Sequence, residues 1–92
     1  METFNFEVMV STDKATGELL AVYLRIRKGE VAETREYAKG NAFADYGAQG
    51  QLLGIEVIGP CEITVLDKIA RREPKAKKFL RGALPRELVL AE

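Results

Sequence analysis

Asp45 and Glu56 are the carboxylates whose placement could do chemistry. They lie in two apolar segments on either side of a glycine-rich turn over residues 47–50. A loop of two or four residues there sets Ala42, Ala44 and Tyr46 on one sheet face with Leu53, Ile55 and Val57, and leaves Asp45 and Glu56 together on the other. A carboxylate pair beside arginine can do acid–base work when burial shifts one pKa, and Arg25 and Arg35 are the cations that could approach, Arg35 with the opposite parity to Arg25 in the register of the first hairpin. The same residues equally describe cross-strand ion pairs on a solvated sheet face, each adding only a few tenths of a kcal/mol. A second group is basic: Arg71, Arg72, Lys75, Lys77, Lys78, Arg81 and Arg86. On helices these side chains could contact phosphates. Phe79 falls on the apolar stripe of that segment, so an aromatic for base stacking is missing. A solvated helix face is the alternative, as is docking of the basic helices onto the acidic part of the same or a neighbouring subunit. The third group, Glu33-Thr34-Arg35-Glu36, is a charged strand that could either add to another chain or block such pairing.

The sequence contains no histidine and one cysteine. That removes the Ser-His and Cys-His nucleophilic pairs, the usual zinc and iron sites, and the commonest general base near neutral pH. Cys61 has no basic neighbour to make it a thiolate, and a buried apolar role is expected of it. The glycines at 47, 50 and 54 have the density of a nucleotide loop but lack its Gly-Lys-Ser/Thr ending. The sequence therefore names no catalytic, cofactor or metal residue, and a non-enzymatic chain is expected.

Ninety-two residues make one domain, and 47% apolar with 30% charged residues describes a folded chain rather than a disordered one. No apolar run approaches the ~18 residues of a membrane span. The N-terminus has neither the basic region nor the apolar core of a signal peptide, so a cytoplasmic location is expected. Charge is segregated: residues 1–63 hold six Lys/Arg against ten Asp/Glu, and residues 64–92 hold eight against four. An acidic body with a basic tail region results.

The elements that must position these groups follow from periodicity. Phe4, Phe6, Val8 and Val10 alternate with Asn5, Glu7 and Met9 as in a half-buried strand. Asp13 and Gly17 make a turn, Asp by accepting backbone amides ahead of it and Gly by taking a positive φ. Residues 19–27 read as a central strand with the stripe Leu20, Val22, Leu24 and Ile26, Arg25 and Arg27 leaving on the other face. A two-residue turn at Lys28-Gly29 would set Ile26 against Val31, Tyr23 against Thr34 and Arg25 against Ala32. Strands over 30–37, 41–46 and 52–58 follow, and Gly59-Pro60 ends the sheet. Thr64 then looks like a helix N-cap with Asp67 in capping-box position, and Val65, Leu66 and Ile69 form the apolar side. Pro74 opens a second helix bearing Ala76, Phe79, Leu80 and Ala83, closed by Gly82 and Pro85. Residues 86–92 fit a helical turn or an extended tail equally.

Leu19-Leu20-Ala21-Val22-Tyr23-Leu24-Arg25-Ile26, Val31-Ala32-Glu33-Thr34-Arg35-Glu36, Phe43-Ala44-Asp45-Tyr46 and Gly50-Gln51-Leu52-Leu53-Gly54-Ile55-Glu56-Val57 follow one another in an order that resembles the small bacterial domain of unknown function numbered 2283. The resemblance covers roughly residues 13–60, and Gly-x-Leu-x-Gly-Ile-Glu with the Ala-Asp-Tyr before the turn is its most specific part. Members usually carry an acidic pair at that turn; Gly47-Ala48-Gln49-Gly50 has none, so a role for turn carboxylates is not carried over. The resemblance implies a short β-meander and no established activity. An antitoxin-like role comes only by the association of some members with toxin-like partners.

The expected fold is α+β: an antiparallel meander of four or five strands over residues 1–60, with one or two helices in 61–92 packed on one face. Its expected core is Leu20, Val22, Leu24, Ile26, Leu53, Ile55 and Val57 with Phe4, Phe6, Val65, Ile69 and Phe79. Tyr23, Tyr37 and Phe43 would remain as apolar surface for a two-fold homodimer to bury. The expected function is a small self-associating protein-interaction or binding module, with weak nucleic-acid affinity through the basic helices as the alternative and acid–base chemistry at Asp45 and Glu56 behind both.

Overall fold

A computed structural model describes residues 4–90. In chain order the elements are β1 (Glu7–Thr12), β2 (Leu19–Arg25), β3 (Glu33–Tyr37), β4 (Ala42–Tyr46), β5 (Leu52–Val57), β6 (Cys61–Glu62), α1 (Ile63–Ile69), α2 (Pro74–Ala83) and β7 (Val89–Leu90). Five strands form one antiparallel sheet in the order β1-β2-β5-β4-β3, and both helices pack on one face of it. The expected α+β architecture is what the chain adopts. Short 3-10 turns at Ala38–Gly40 and Arg86–Leu88 complete it. The second of these leads into β7, which pairs parallel with β6, so the segment left open in sequence is a turn followed by a strand.

One connection departs from the expected hairpins. β2 does not turn back onto β3; it pairs with β1 and β5, and β3 pairs with β4 at the far edge. The face-to-face placement of Ile26 with Val31 and Tyr23 with Thr34 is therefore not found. The reason is burial: Val22, Leu24 and Ile26 are fully buried, and the apolar β5, with Ile55 and Val57 equally buried, closes over them. The polar β3 offers nothing comparable. The segment between β2 and β3 passes over Leu53 so closely that a Cβ on Gly29 would sit 2.8 Å from that side chain, which explains glycine there.

The turn after Asp13 forms as expected, with the amides of Ala15 (2.8 Å) and Thr16 (3.0 Å) on the Asp13 carboxylate and Gly17 at φ 74°. The β4–β5 hairpin reaches the expected partition of faces by a different route. Its loop is closed by the amide of Gly47 on the Gln51 carbonyl, with Gly50 at φ 79°, and the register then shifts between Asp45 and Tyr46. The shift restores Ala44 opposite Ile55 and Ala42 opposite Val57. It also brings Leu52 rather than Leu53 onto the helix side, opposite Tyr46.

The core contains Val22, Leu24, Ile26, Leu52, Ile55, Val57, Cys61, Leu66, Ala76, Leu80, Leu84 and Leu88. Phe4, Ile69 and Phe79 pack at its margin. Leu20 is 51% exposed and Phe6 is edge-exposed, so neither belongs to it. Nor is β1 half-buried: all six of its residues are exposed, because the helices stop short of that edge. Helix α1 starts at Ile63 with Glu62 before it, not at a Thr64 cap; the Thr64 hydroxyl instead donates to Glu62 (3.3 Å). Asp67 is not a capping acid either. It is held by Arg81 of α2 (Nε to Oδ1 2.9 Å), which keeps its carboxyl below the usual range.

Arg27 ends β2 on the side opposite to that expected. The amides of Ile26 (2.8 Å) and Arg27 (3.2 Å) both donate to the Leu53 carbonyl. Two successive amides on one acceptor mark a bulge, and the bulge turns Arg27 towards the helices. There it is 8% exposed, donates to the Leu52 carbonyl and pairs with Glu73, the residue preceding α2. Its guanidinium also lies 5.1 Å from the centre of the Phe4 ring. Glu73 is part-exposed and Arg27 keeps the Leu52 carbonyl without it, so removing the carboxylate costs on the order of 2 kcal/mol, less than for a fully buried pair. Chemical denaturation followed by circular dichroism should show a loss of about that size for Glu73→Ala. Asp67→Ala, which breaks the solvent-facing pair with Arg81, should leave the midpoint nearly unchanged.

Candidate functional site

Two concave surfaces lie on opposite faces of the sheet. The first is on the outer face, away from the helices, and is lined by Tyr23, Thr34, Phe43, Asp45 and Glu56. The register that pairs Phe43 with Glu56 and Asp45 with Gly54 puts both carboxylates on this face, as expected. The expected arginines do not reach them. Arg25 is paired with Glu7 (2.7 Å), and Arg35, on the helix side of β3, is paired with Glu33 (2.9 Å). Asp45 is engaged by hydroxyls instead. Thr34 donates to one of its oxygens (2.7 Å) and Tyr23 to the other (3.0 Å). To get there, Tyr23 reaches from β2 across β5 above Gly54, where any Cβ would overlap the phenol. Glu56 is exposed beside this cluster.

Burial, then the hydrogen bond to Asp45 and its charge, push the Tyr23 phenol up to about 12. A phenol with a raised folded-state pKa holds its proton better folded than unfolded. Its contribution to stability is whole below about pH 10, the ordinary tyrosine value, and is lost as pH rises through about 12. The tyrosinate absorbance of the folded protein should therefore lag that of the unfolded chain across this window. Gly54→Ala, by swinging the phenol off Asp45, should move one late-titrating tyrosine back towards its ordinary value and cost about 1–2 kcal/mol.

The second surface is a cleft of about 350 Å³ on the helix side. Its sheet wall is Arg35 and Tyr37 of β3, Tyr46 of β4 and Leu52 of β5. The opposite wall is the end of α1 and the turn into α2, with Lys68, Ile69, Arg71, Arg72 and Glu73; Gly50 and Gln51 of the hairpin close one side and Arg27 lies at the base of the helix wall. Five cations thus face one carboxylate. Glu73 is committed to Arg27, and Arg35 to Glu33. Lys68, Arg71 and Arg72 form no ion pair among the described residues. The two tyrosine hydroxyls meet at 3.1 Å, and Arg35 covers the Tyr46 ring at 4.8 Å from its centre. Burial and the Tyr37 hydroxyl raise the pKa of Tyr46, so its phenol stays neutral.

Of the basic run, Arg71 and Arg72 enter this cleft, Lys75 stands beside it near Phe4, Arg81 is bound to Asp67, and Lys77, Lys78 and Arg86 have no ion pair among the described residues. Among the described residues no ion pair runs from a cation of the basic tail to a carboxylate of the acidic body, although the helices pack on the sheet. The ion pair that joins the two runs the other way, from Arg27 of the body to Glu73 of the tail. Sequence reasoning missed Arg27, Arg35, Tyr37, Tyr46 and Lys68 as members of one site. The parity of Arg35, Tyr37 and Tyr46 was available, but the bulge that turns Arg27 inward has no residue signature. Cys61 is buried, and burial raises its thiol pKa, as expected of a packing residue. Among the described residues no three His, Cys, Asp or Glu side chains gather as a metal site, and no helix is long and apolar enough to cross a membrane. Comparison of the chain with protein-family models, curated proteins and solved structures finds no match.

Proposed function

We propose that this protein is a non-enzymatic binding module whose basic cleft takes a nucleic acid by its phosphates. The observation that carries the reading is the convergence of Lys68, Arg71 and Arg72, none of them ion-paired among the described residues, on the same concavity as Arg27 and Arg35. A polyanion supplies several phosphates at once, and release of its counterions drives association. Recognition of bases is not part of this reading, since of the aromatic rings in or near the cleft only Tyr37 is without a ring or guanidinium partner among the described residues, too few for a stacking platform. Phe6 stacks between Phe4 (4.9 Å) and Phe79 (4.6 Å), Arg27 lies over Phe4, and Arg35 covers Tyr46. Binding should therefore be nearly independent of sequence. On the outer face, both oxygens of Asp45 already accept hydrogen bonds, which favours a structural over an acid–base role for it. An antitoxin-like or regulatory role, and kinship with the family resembled in sequence, belong to the same proposal.

The test is an anisotropy titration of a labelled single-stranded oligonucleotide. Three phosphate contacts give a slope of about −2 for log K against log salt. The double variant Arg71→Gln/Arg72→Gln should weaken binding by about tenfold or more at low salt and flatten that slope, whereas Lys78→Gln, outside the cleft, should change it little. Absence of binding at low salt, or binding that the double variant leaves intact, sinks the reading.

A further inference from the structure

The two edges of the sheet are guarded differently. At one end β3 carries Glu33, Thr34, Arg35 and Glu36, with Glu33 and Arg35 already paired to each other. Charged edges of this kind block pairing with another strand. At the other end β1 has Glu7 as its one charge and contains neither lysine nor proline. Of the eight large apolar side chains exposed among the described residues, five cluster here: Phe6, Val8, Met9, Val10 and Leu20. Val8 (45% exposed) and Val10 (54%) lie opposite Leu24 and Val22, on the face that the helices cover elsewhere. They continue the core surface beyond the reach of the helices.

The hydrogen-bonding phase of this edge follows from one bond. The Ile26 amide donates to Leu53, towards β5, in register with the pairing of Arg25 with Gly54. Backbone groups alternate sides along a strand, so Arg25, Tyr23 and Ala21 turn theirs towards β1. Their partners Glu7, Met9 and Ser11 are then satisfied inside the sheet. Val8 and Val10 turn their N–H and C=O groups outward, with no strand to receive them among the described residues. Water meets such a row in the single chain, but it leaves the valines bare; a second copy of the same edge brings both the matching backbone groups and an equal apolar stripe to cover them.

We propose that β1 pairs antiparallel with β1 of a second copy about a two-fold axis at Met9, joining the two five-stranded sheets into one. The phase restricts the axis to a residue rather than a peptide bond, and the side chains then choose among Val8, Met9 and Val10. Outward groups belong to Val8 and Val10, and an axis at Met9 lets Val8 exchange both hydrogen bonds with Val10 of the other copy. It sets Glu7 opposite Ser11 and gathers four valines into one apolar cluster. An axis at Val10 would instead oppose Glu7 to Asp13, and an axis at Val8 would set Glu7 against Met9. The contact is isologous, so it closes at two copies and leaves only the charged β3 edges outside. The pairing does not depend on the basic cleft, which lies at the opposite end of the sheet. It differs from the surface expected in sequence, where Tyr23, Tyr37 and Phe43 were the residues to be covered: Tyr37 packs against the core, and Tyr23 and Phe43 line the Asp45 depression.

Amide hydrogen exchange read residue by residue, together with light scattering behind a sizing column, tests it. Glu7, Met9 and Ser11 are protected in either state; Val8 and Val10 are protected only in the paired one. The expected result is a dimer mass at sub-millimolar concentration, with Val8 and Val10 exchanging at least about tenfold more slowly than on dilution to low micromolar. Val10→Lys, which puts charge into the valine cluster without touching the β1–β2 ladder, should give a monomer with both amides fast. A monomer at sub-millimolar concentration overturns the proposal. So does a dimer in which Val8 and Val10 exchange as fast as the exposed turn around Gly17. Should Val10→Lys fail to fold, the exchange of the unaltered protein decides.

Discussion

The contact between Arg27 and Glu73 fixes more of this molecule than any other single interaction. Arg27 is the one charged residue buried among those described, and it reaches four parts of the chain: the end of β2, the Leu52 carbonyl of β5, the Phe4 ring and the start of α2. Burying a guanidinium is costly, and the cost is offset only when carboxylate and carbonyl meet it together. That requirement locates the start of α2 against the end of the sheet. It also aligns the aromatic column, since Arg27 lies on Phe4, Phe4 on Phe6 and Phe6 on Phe79 of α2. The column ties the N-terminal segment to the second helix, which no strand pairing does. Because Glu73 is consumed in this contact, the cations before it in the chain, Lys68, Arg71 and Arg72, are left facing the cleft with no acid of their own. The interaction that holds the fold together is thus also the one that makes the cleft positive.

The central strands impose a second constraint. β2 and β5 carry the fully buried stripes, and each needs a neighbour on both sides. Consecutive hairpins would have left β2 beside the polar β3. The chain instead crosses the outer face between β2 and β3 and places its most polar strand at an edge. Tyr23 can lean across Gly54 to Asp45 only because β2, β5 and β4 are adjacent in that order. The outer cluster is therefore a consequence of the crossing, and its hydroxyl contacts brace three successive strands over a face that no helix covers.

Much of this was legible in the residues, and the parts that were not share a cause. Period-two stripes at Val22, Leu24 and Ile26 and at Ile55 and Val57 located the core strands and its face, and Pro74 located the second helix, because each signal is local. The face shared by Asp45 and Glu56 was also legible, since side-chain parity survives an odd loop when a bulge compensates it. Which strand neighbours β2 was not, because pairing partners depend on long-range burial and no residue near Lys28-Gly29 records it. Arg27 was assigned to the wrong face for the same kind of reason: parity counts residues, and a bulge spends one without leaving a mark in the sequence. Phe6, Val8 and Val10 alternate as a half-buried strand does, yet whether an apolar stripe is covered depends on how far two helices extend, which is a property of their length and docking. Arg25 and Arg35 were near Asp45 in sequence register, but each had a closer carboxylate, Glu7 and Glu33, on its own face.

The segregation of charge along the sequence takes on a definite meaning in three dimensions. Had the basic tail simply neutralised the acidic body, ion pairs would run from tail cations to body carboxylates. None does so among the described residues; the body's carboxylates Glu7 and Glu33 are taken by its own arginines, and Asp67 of the tail is taken by Arg81 of the tail. Apart from the Arg27–Glu73 contact, each part pairs its charges internally. The surplus cations gather where α1 ends, a place that also favours positive charge because the helix presents its carbonyl ends there. A surface that was only a solvated helix face would spread its cations over the outside of α2, as Lys75 and Lys78 are spread. Lys68, Arg71 and Arg72 are drawn instead to a concave wall opposite Arg35, against the loss of mutual repulsion that dispersal would bring. A polyanion seated between those walls would remove that repulsion; among the described residues the one carboxylate lining the cleft, Glu73, is held by Arg27.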